Sequence, residues 1–241
     1  SHTNEQLEKN SEFSKKSSFS FLLNQKITKI LGYVSYAYTD YMRTAKKFEK
    51  FNLHKNQIFT ALEACKCCLF ESKKIGANNR GVVYQVETGE GKSCIVCLIA
   101  SLLALLGKTV HIASSNIPLA NRDYYESFEF FKKIGLRSAV LLHRNELPSK
   151  NSANYDELHY PREFYRKKLF ENSSNMNFSV CGITNNNEIS KDKADIVFST
   201  FVNFESLYLR MMEMCPGYIR DYFKHCVLVI DEADSILIDE L

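Results

Sequence analysis

A short glycine-containing segment, Thr88-Gly89-Glu90-Gly91-Lys92-Ser93, constrains the fold of this chain more than any other feature. It follows a β-branched run at Gly81–Val86 and opens an apolar helical pattern at Lys92–Leu106. Glycines let a backbone wrap around a phosphate with successive N–H groups pointing inward, and a helix N-terminus attracts anions. The segment therefore predicts a phosphate-binding loop between a strand and a helix.

The polar side chains of this loop match the chemistry of nucleotide phosphates. We expect Lys92 to bridge the terminal phosphates and the Ser93 hydroxyl to ligate Mg²⁺. The general pattern of such loops has a glycine five positions before the last glycine, where this chain has Val86. Taken alone, the segment could therefore also be a solvated turn before a helix.

An acidic pair follows an apolar run near the end of the sequence. Cys226–Ile230 leads directly into Asp231 and Glu232. A carboxylate at the carboxyl end of a buried strand can reach a metal ion held at the phosphate loop of another strand. We expect Asp231 to hold Mg²⁺ and Glu232 to polarise the attacking water. The alternative is an acidic turn after a hydrophobic strand.

Strands and helices alternate over the second half of the chain, which is typical of an α/β fold with a mostly parallel β-sheet flanked by helices. The predicted strands are Gly81–Val86, Thr109–Ser114, Arg137–Leu142, Asp195–Thr200 and Cys226–Ile230. The predicted helices between them are Lys92–Leu106, Pro118–Ile134 and a stretch from Thr200 to about Met214.

The pattern predicts three parts along the chain. Residues 1–18 are polar and without periodicity, as in a disordered or vector-derived lead-in. Residues 19–80 form a helical N-terminal extension, with helical spacing of apolar residues over 19–51 and 57–70. Residues 81–241 form the nucleotide-binding domain, interrupted at about 143–193 by an insertion rich in Asn, Ser and Lys.

Composition excludes several functional classes. The net charge of +3 includes no dense basic stripe, so we expect no nucleic-acid partner. The longest apolar run, Ile95–Leu106, is shorter than the roughly 20 residues that a membrane span needs, which predicts a soluble protein. Several of the eight cysteines lie in apolar segments, which indicates reduced thiols in a cytoplasmic or equivalent reducing compartment. Cys94 and Cys97 have C-x-x-C spacing, but without a second pair we favour core packing over zinc or redox chemistry.

Beyond these signals, four stretches resemble the SecA preprotein translocase ATPases. The tail DEADSILIDE at 231–240 differs from the family's DEVDSILIDE only at Ala233. Thr88–Ser93 is similar to the family's TGEGKT, which also lacks the early glycine. Val110–Asp123 is similar to VHVVTVNDYLARRD, and Ala194–Thr200 to ADITYGT. The chain is thus identified as a divergent member of this family.

The resemblance implies a RecA-like P-loop NTPase domain with ATP and Mg²⁺ as cofactors. It further implies an ATPase whose hydrolysis drives polypeptides across a membrane. Its partners would be a preprotein and a membrane translocation channel, reached through further domains and with peripheral membrane association. Gln57 resembles the family's glutamine that contacts adenine; the alternative is an exposed helix residue.

In the family, a second RecA-like domain supplies an arginine finger, and a substrate-gripping domain follows the acidic motif. We expect the chain to be truncated before both. Because an arginine finger contributes about 10³–10⁵ in rate, this chain alone should bind ATP weakly and hydrolyse it negligibly.

The sequence also departs from the family. The spacing from Gln57 to Lys92 is longer, with a cluster at Cys65–Cys68, and Phe201-Val202-Asn203 replaces the family's Asn-Asn-Glu. Two other functions stay open. One is a superfamily 2 helicase-type RNA-remodelling ATPase, against which the SILIDE tail and the modest charge argue. The other is a non-catalytic nucleotide-binding interaction module, against which intact Lys92, Ser93, Asp231 and Glu232 argue.

Two groups near the second predicted strand have both a structural and a functional interpretation. Asn116 and Arg122 either couple the site to other regions, by resemblance, or form a helix cap and an ordinary salt bridge. An aromatic run either packs in the core, which we favour, or forms an exposed patch: Tyr124, Tyr125, Phe128, Phe130 and Phe131.

Overall fold

The computed structural model describes residues 24–70, 81–141, 194–214 and 222–234. The chain divides into two compact units, Ser1–Leu102 and Leu103–Leu241. The predicted lead-in at 1–18 and the predicted insertion at about 143–193 lie outside the described residues, as does the end of the acidic motif beyond residue 234.

Three helices make up the described part of the first unit. Helix α1 spans 24–44 and α2 spans Lys55–Phe70. Helix α3 begins at Lys92 in this unit and ends at Leu105. The large buried side chains of α1 lie three or four positions apart, which is the spacing of one helix face: Ile27, Leu31, Val34, Tyr38 and Tyr41. The predicted helices are confirmed over 24–44 and 57–70, whereas residues 45–51, which the prediction also included, form no helix.

The predicted strand at Gly81–Val86 is wrong. Residues 81–87 adopt no strand, and residues 81–85 are exposed to solvent. β-Branched residues favour a strand only where a neighbouring strand accepts and donates the ladder hydrogen bonds. Within the described residues, the sheet consists of four segments of the second unit.

A parallel four-stranded sheet forms the second unit. Its strands are β1 (Thr109–Ser114), β2 (Ser138–Val140), β3 (Ile196–Thr200) and β4 (Cys226–Ile230). The order is β2-β3-β1-β4, and all three pairings are parallel. Strands β1 and β3 are buried along their whole length, as expected for a sheet covered on both faces. The α/β fold is therefore confirmed, although β2 is shorter than the predicted Arg137–Leu142.

Two helices flank this sheet, and local signals set their ends. Helix α4 spans Ile117–Lys133 and α5 spans Phe201–Met214. Asn116 caps α4, because its Oδ1 accepts a hydrogen bond from the N–H of Leu119 at 3.0 Å. Gly135, with φ +79°, follows the last turn of α4.

The aromatic run on α4 belongs to the core. Tyr124, Phe130 and Phe131 are buried. The rings of Tyr124 and Phe131 lie 5.9 and 6.2 Å from that of Phe198 on β3, measured between centroids. These contacts hold α4 against the sheet, so the core interpretation is confirmed for these residues. In the described part of the chain, no helix combines the length and apolar character that a membrane span requires.

Candidate active site

The phosphate-loop segment adopts backbone conformations that depend on its two glycines. Gly89 has φ +90° and Gly91 has φ +81°. L-Amino acids with a side chain rarely adopt this region, whereas glycine does so without steric cost. The N–H of Glu90 donates to the carbonyl of Glu87 at 3.2 Å, which closes a turn at the start of the loop. The loop thus curves sharply just before α3.

The loop opens directly onto the N-terminus of α3. The N–H of Ile95 donates to the Gly91 carbonyl at 3.1 Å, as the first hydrogen bond of the helix. Lys92 and Ser93 are exposed in the first turn, which contains no acidic residue. The first N–H groups of a helix lack intrahelical partners and carry partial positive charge. Together with the Lys92 ammonium, they make this end of α3 suited to an anion.

Gln57 is tied to this loop by its side-chain amide. Its Nε2 donates to the Glu90 carbonyl at 2.9 Å, and its Oε1 accepts from the His54 N–H at 3.0 Å. The second bond is the reciprocal half of a capping box at the start of α2. Gln57 is only 7% exposed, so the alternative of an exposed helix residue is wrong.

Gly91 leaves just enough room for that amide. A Cβ atom placed on Gly91 would lie 2.5 Å from Gln57 Nε2, which is far inside van der Waals contact. At Gly89 and at Gly107 a Cβ would meet nothing within 4 Å. Gly91 is therefore required both by its backbone angle and by its close approach to Gln57.

The predicted acidic pair lies at the carboxyl end of β4, beside β1. The N–H of Asp231 donates to the Ala113 carbonyl at 2.9 Å and so extends the ladder between the two strands. Glu232 has φ +58°, and its N–H donates to Asp231 Oδ1 at 3.0 Å. Its exposed carboxylate accepts a hydrogen bond from the Ser115 hydroxyl, with 3.0 Å between Oγ and Oε2.

Charged residues of α4 add to the electrostatics around Glu232. Arg122 Nη2 lies 2.8 Å from Asp123 Oδ1, so Arg122 forms an ordinary salt bridge. Burial raises the pKa of Asp123, the bond from Arg122 opposes this shift, and the negative charges of Glu126 and Glu232 add to it. Glu232 therefore interacts electrostatically with both Asp123 and Arg122 of α4.

The predicted residues fall into two groups. Gln57 and the loop Thr88–Ser93 lie together in the first unit, and Asp231 and Glu232 lie together in the second. Sequence reasoning missed the contact of Gln57 with the loop and the contact of Ser115 with Glu232. The second contact depends on β1 pairing with β4, which no local pattern specifies.

The two cysteines of α3 lie in its buried face, whereas Cys68 on α2 is exposed. Cys94 and Cys97 are buried on α3. Burial raises the pKa of Cys94 to about 12, against a hydrogen bond with Tyr38 that lowers it. In the described ranges, no group of three or more His, Cys, Asp or Glu side chains is placed to hold a metal ion. A magnesium site of the expected kind needs no such group, because Mg²⁺ is usually held by one or two carboxylates and substrate phosphates.

Comparisons with known proteins relate the chain to one family. Residues 3–241 match the family model of the SecA DEAD-like domain. The chain is similar to the protein translocase subunit SecA of Thermosipho africanus, with 31% identity covering 71% of the chain and 22% of the relative. It is also similar to SecA of Cyanidioschyzon merolae, with 31% identity covering 75% of the chain and 19% of the relative.

A third relative, SecA of Ehrlichia chaffeensis, is 29% identical over 67% of the chain and 14% of its own length. The chain thus spans about a fifth or less of the length of these curated relatives. Because the family model covers nearly the whole sequence, this chain belongs to the SecA DEAD-like domain family.

Proposed function

We propose that this chain is the ATP-binding motor domain of a SecA-like translocase, in which ATP hydrolysis drives polypeptides across a membrane. The observation that carries the proposal is the loop at 88–93, where two glycines with positive φ lead into a helix N-terminus free of acidic residues. Inward-pointing N–H groups and a helix N-terminus of this kind suit the negative charge of a phosphate group.

Nucleotide binding would use the loop and the amide beside it. The exposed Lys92 ammonium, on the first residue of α3, would contact the terminal phosphates. The Gln57 amide has two N–H donors and two acceptor lone pairs, and its two hydrogen bonds use one of each. The remaining donor and lone pair match the acceptor and donor on the adenine edge, which a glutamine can bind in bidentate fashion.

The metal would be held by oxygen ligands, as Mg²⁺ prefers: the Ser93 hydroxyl and an Asp231 carboxylate oxygen. When bound, Mg²⁺ would neutralise negative charge on the phosphate oxygens. Glu232, whose carboxylate is exposed, would accept a proton from the attacking water. This chemistry requires the loop at 88–93 and the pair at 231–232 to converge on one nucleotide.

The proposed partners are a preprotein and a membrane translocation channel, contacted through regions outside this chain. Relatives at about 30% identity are protein translocase subunits by name, which supports this assignment. The modest net charge of +3 supports a protein substrate over RNA. We place the protein in a reducing compartment, peripheral to the membrane that contains the channel.

Calorimetric titration of this chain with ATP and Mg²⁺ tests nucleotide binding. Lys92→Ala should weaken binding about tenfold or more, because a hydrogen bond to a charged group contributes about 1.5–3 kcal/mol. Lys29→Ala removes the same charge from an exposed position on α1 and should leave the Kd unchanged. Equal Kd values for the wild type and Lys92→Ala would contradict the proposed site.

Hydrolysis and transport are tested in the longest natural protein that contains this sequence. Its ATPase rate should rise with an unfolded preprotein and channel-containing vesicles, and Glu232→Gln should abolish turnover while preserving binding. Stimulation by RNA alone would overturn the translocase assignment in favour of an RNA-remodelling ATPase.

A further inference from the structure

The hydroxyl of Ser115 lies in a segment that is held from both sides. Ser115 follows β1, whose strand pairs with β3 and β4, and precedes Asn116, which caps α4. The strand ladder and the helix cap together leave the backbone at 115 little freedom. The backbone that carries the Ser115 hydroxyl is therefore held by the fold rather than by a flexible loop.

The backbone of Glu232 is also fixed. Asp231 continues the pairing of β4 with β1 through its N–H bond to Ala113. Glu232 adopts a left-handed conformation at φ +58°, with its N–H bonded to Asp231 Oδ1. The rotatable bonds of its side chain are the remaining freedom, and the 3.0 Å bond from Ser115 restricts them.

We propose that Ser115 is a positioning residue for Glu232 in ATP hydrolysis, an inference that rests on the proposed function. A carboxylate has two oxygens with about four lone-pair sites. The Ser115 hydroxyl donates to Oε2, which leaves Oε1 to accept the proton of the attacking water.

This contact distinguishes the chain from its family motif. In the alignment of Val110–Asp123 with VHVVTVNDYLARRD, the family has valine where this chain has Ser115. A valine cannot donate a hydrogen bond. The hydroxyl is thus an addition in this chain. We therefore expect its removal to lower kcat several-fold, which is less than the loss expected on removal of a general base.

The test compares Ser115→Val with Ser115→Thr, because valine and threonine share a shape and differ in the hydroxyl. In the longest natural protein containing this sequence, Ser115→Val should lower kcat about three- to tenfold, the range expected for the loss of one neutral hydrogen bond, with KM and nucleotide Kd changed less than about twofold. Ser115→Thr should keep at least about half of the wild-type kcat. Ser138→Ala is the control, because within the described residues no group hydrogen-bonds to that strand hydroxyl.

A double-mutant cycle with Glu232→Gln shows whether Ser115 acts through Glu232. In single-turnover hydrolysis, Ser115→Val should lower the rate of the wild type but not the residual rate of Glu232→Gln. Equal losses in both backgrounds, or an unchanged kcat in Ser115→Val, would overturn the positioning role alone. A wild-type protein that does not hydrolyse ATP would overturn the proposed function as well.

Discussion

Replacing Gly91 by alanine tests how the phosphate loop and Gln57 depend on each other. The new Cβ would lie 2.5 Å from Gln57 Nε2. The end of a glutamine side chain can move away from such a contact. Moving it, however, breaks the bond from Nε2 to the Glu90 carbonyl and disturbs the bond from His54 to Oε1.

The expected cost has two parts. An alanine at φ +81° costs about 1–2 kcal/mol, because its Cβ crowds the following carbonyl oxygen. The two hydrogen bonds of Gln57 contribute about 0.5–1.5 kcal/mol each. Gly91→Ala should therefore lower the free energy of unfolding by about 2–5 kcal/mol. This is a large fraction of the about 5–15 kcal/mol that typically stabilises a folded domain.

Two other glycines provide matched controls for the backbone part. Gly89 and Gly107 have φ +90° and +86°, and a Cβ at either position meets nothing within 4 Å. Gly89→Ala and Gly107→Ala should each cost only about 1–2 kcal/mol. The difference between these variants and Gly91→Ala isolates the contribution of Gln57.

Urea unfolding of this chain, followed by far-ultraviolet circular dichroism, measures these free energies. Combining Gly91→Ala with Gln57→Ala should cost about 1–3 kcal/mol less than the sum of the single changes, because both remove the same hydrogen bonds. If Gly91→Ala is no more destabilising than Gly89→Ala, the coupling between Gln57 and the loop is refuted.

Three further predictions follow from the same structure. Asn116→Ala removes the cap of α4 and should lower the free energy of unfolding by about 1 kcal/mol. In the same urea assay, Asn116→Ser should keep most of the stability that the cap contributes. Phe130 is fully buried, so Phe130→Ala should lower the free energy of unfolding by about 3–5 kcal/mol. Tyr36 is 74% exposed, and Tyr36→Ala should change it by less than about 0.5 kcal/mol. At neutral pH, iodoacetamide should modify the exposed Cys68 well before Cys94. Burial raises the pKa of Cys94 to about 12, and the thiolate is the reactive form. Equal modification rates of the two cysteines in the folded chain, followed by mass spectrometry, would contradict this prediction.

Much of the fold could be predicted because its signals are local. The spacing of apolar residues predicted the helices, since a buried face repeats every three or four positions. Pro118 and Gly135 indicated the ends of α4 within a residue or two, because capping depends on neighbours along the chain. Continuous apolar runs predicted β1 and β3 for the same reason, since strands covered on both faces need no alternation. A similar run predicted β4, although Leu228 and Ile230 of that strand are exposed.

The prediction for 81–86 was wrong because strand formation is not a local property. The β-branched residues there favour an extended backbone, but a strand also needs a partner that the sequence around it does not specify. The hydrogen bonds of the candidate site are also non-local. Gln57 and Glu90 are 33 positions apart, and Ser115 and Glu232 are 117 positions apart.

The sequence by itself determined which groups are available: two glycines, a lysine and a serine before a helix, and an acidic pair after a strand. Only the tertiary structure decided which of these groups touch, because the pairing of β1 with β4 and the packing of Gln57 against Gly91 join distant segments. Hydrogen bonds between such segments require many residues to be ordered together, at a cost in conformational entropy. No short stretch of residues therefore specifies them.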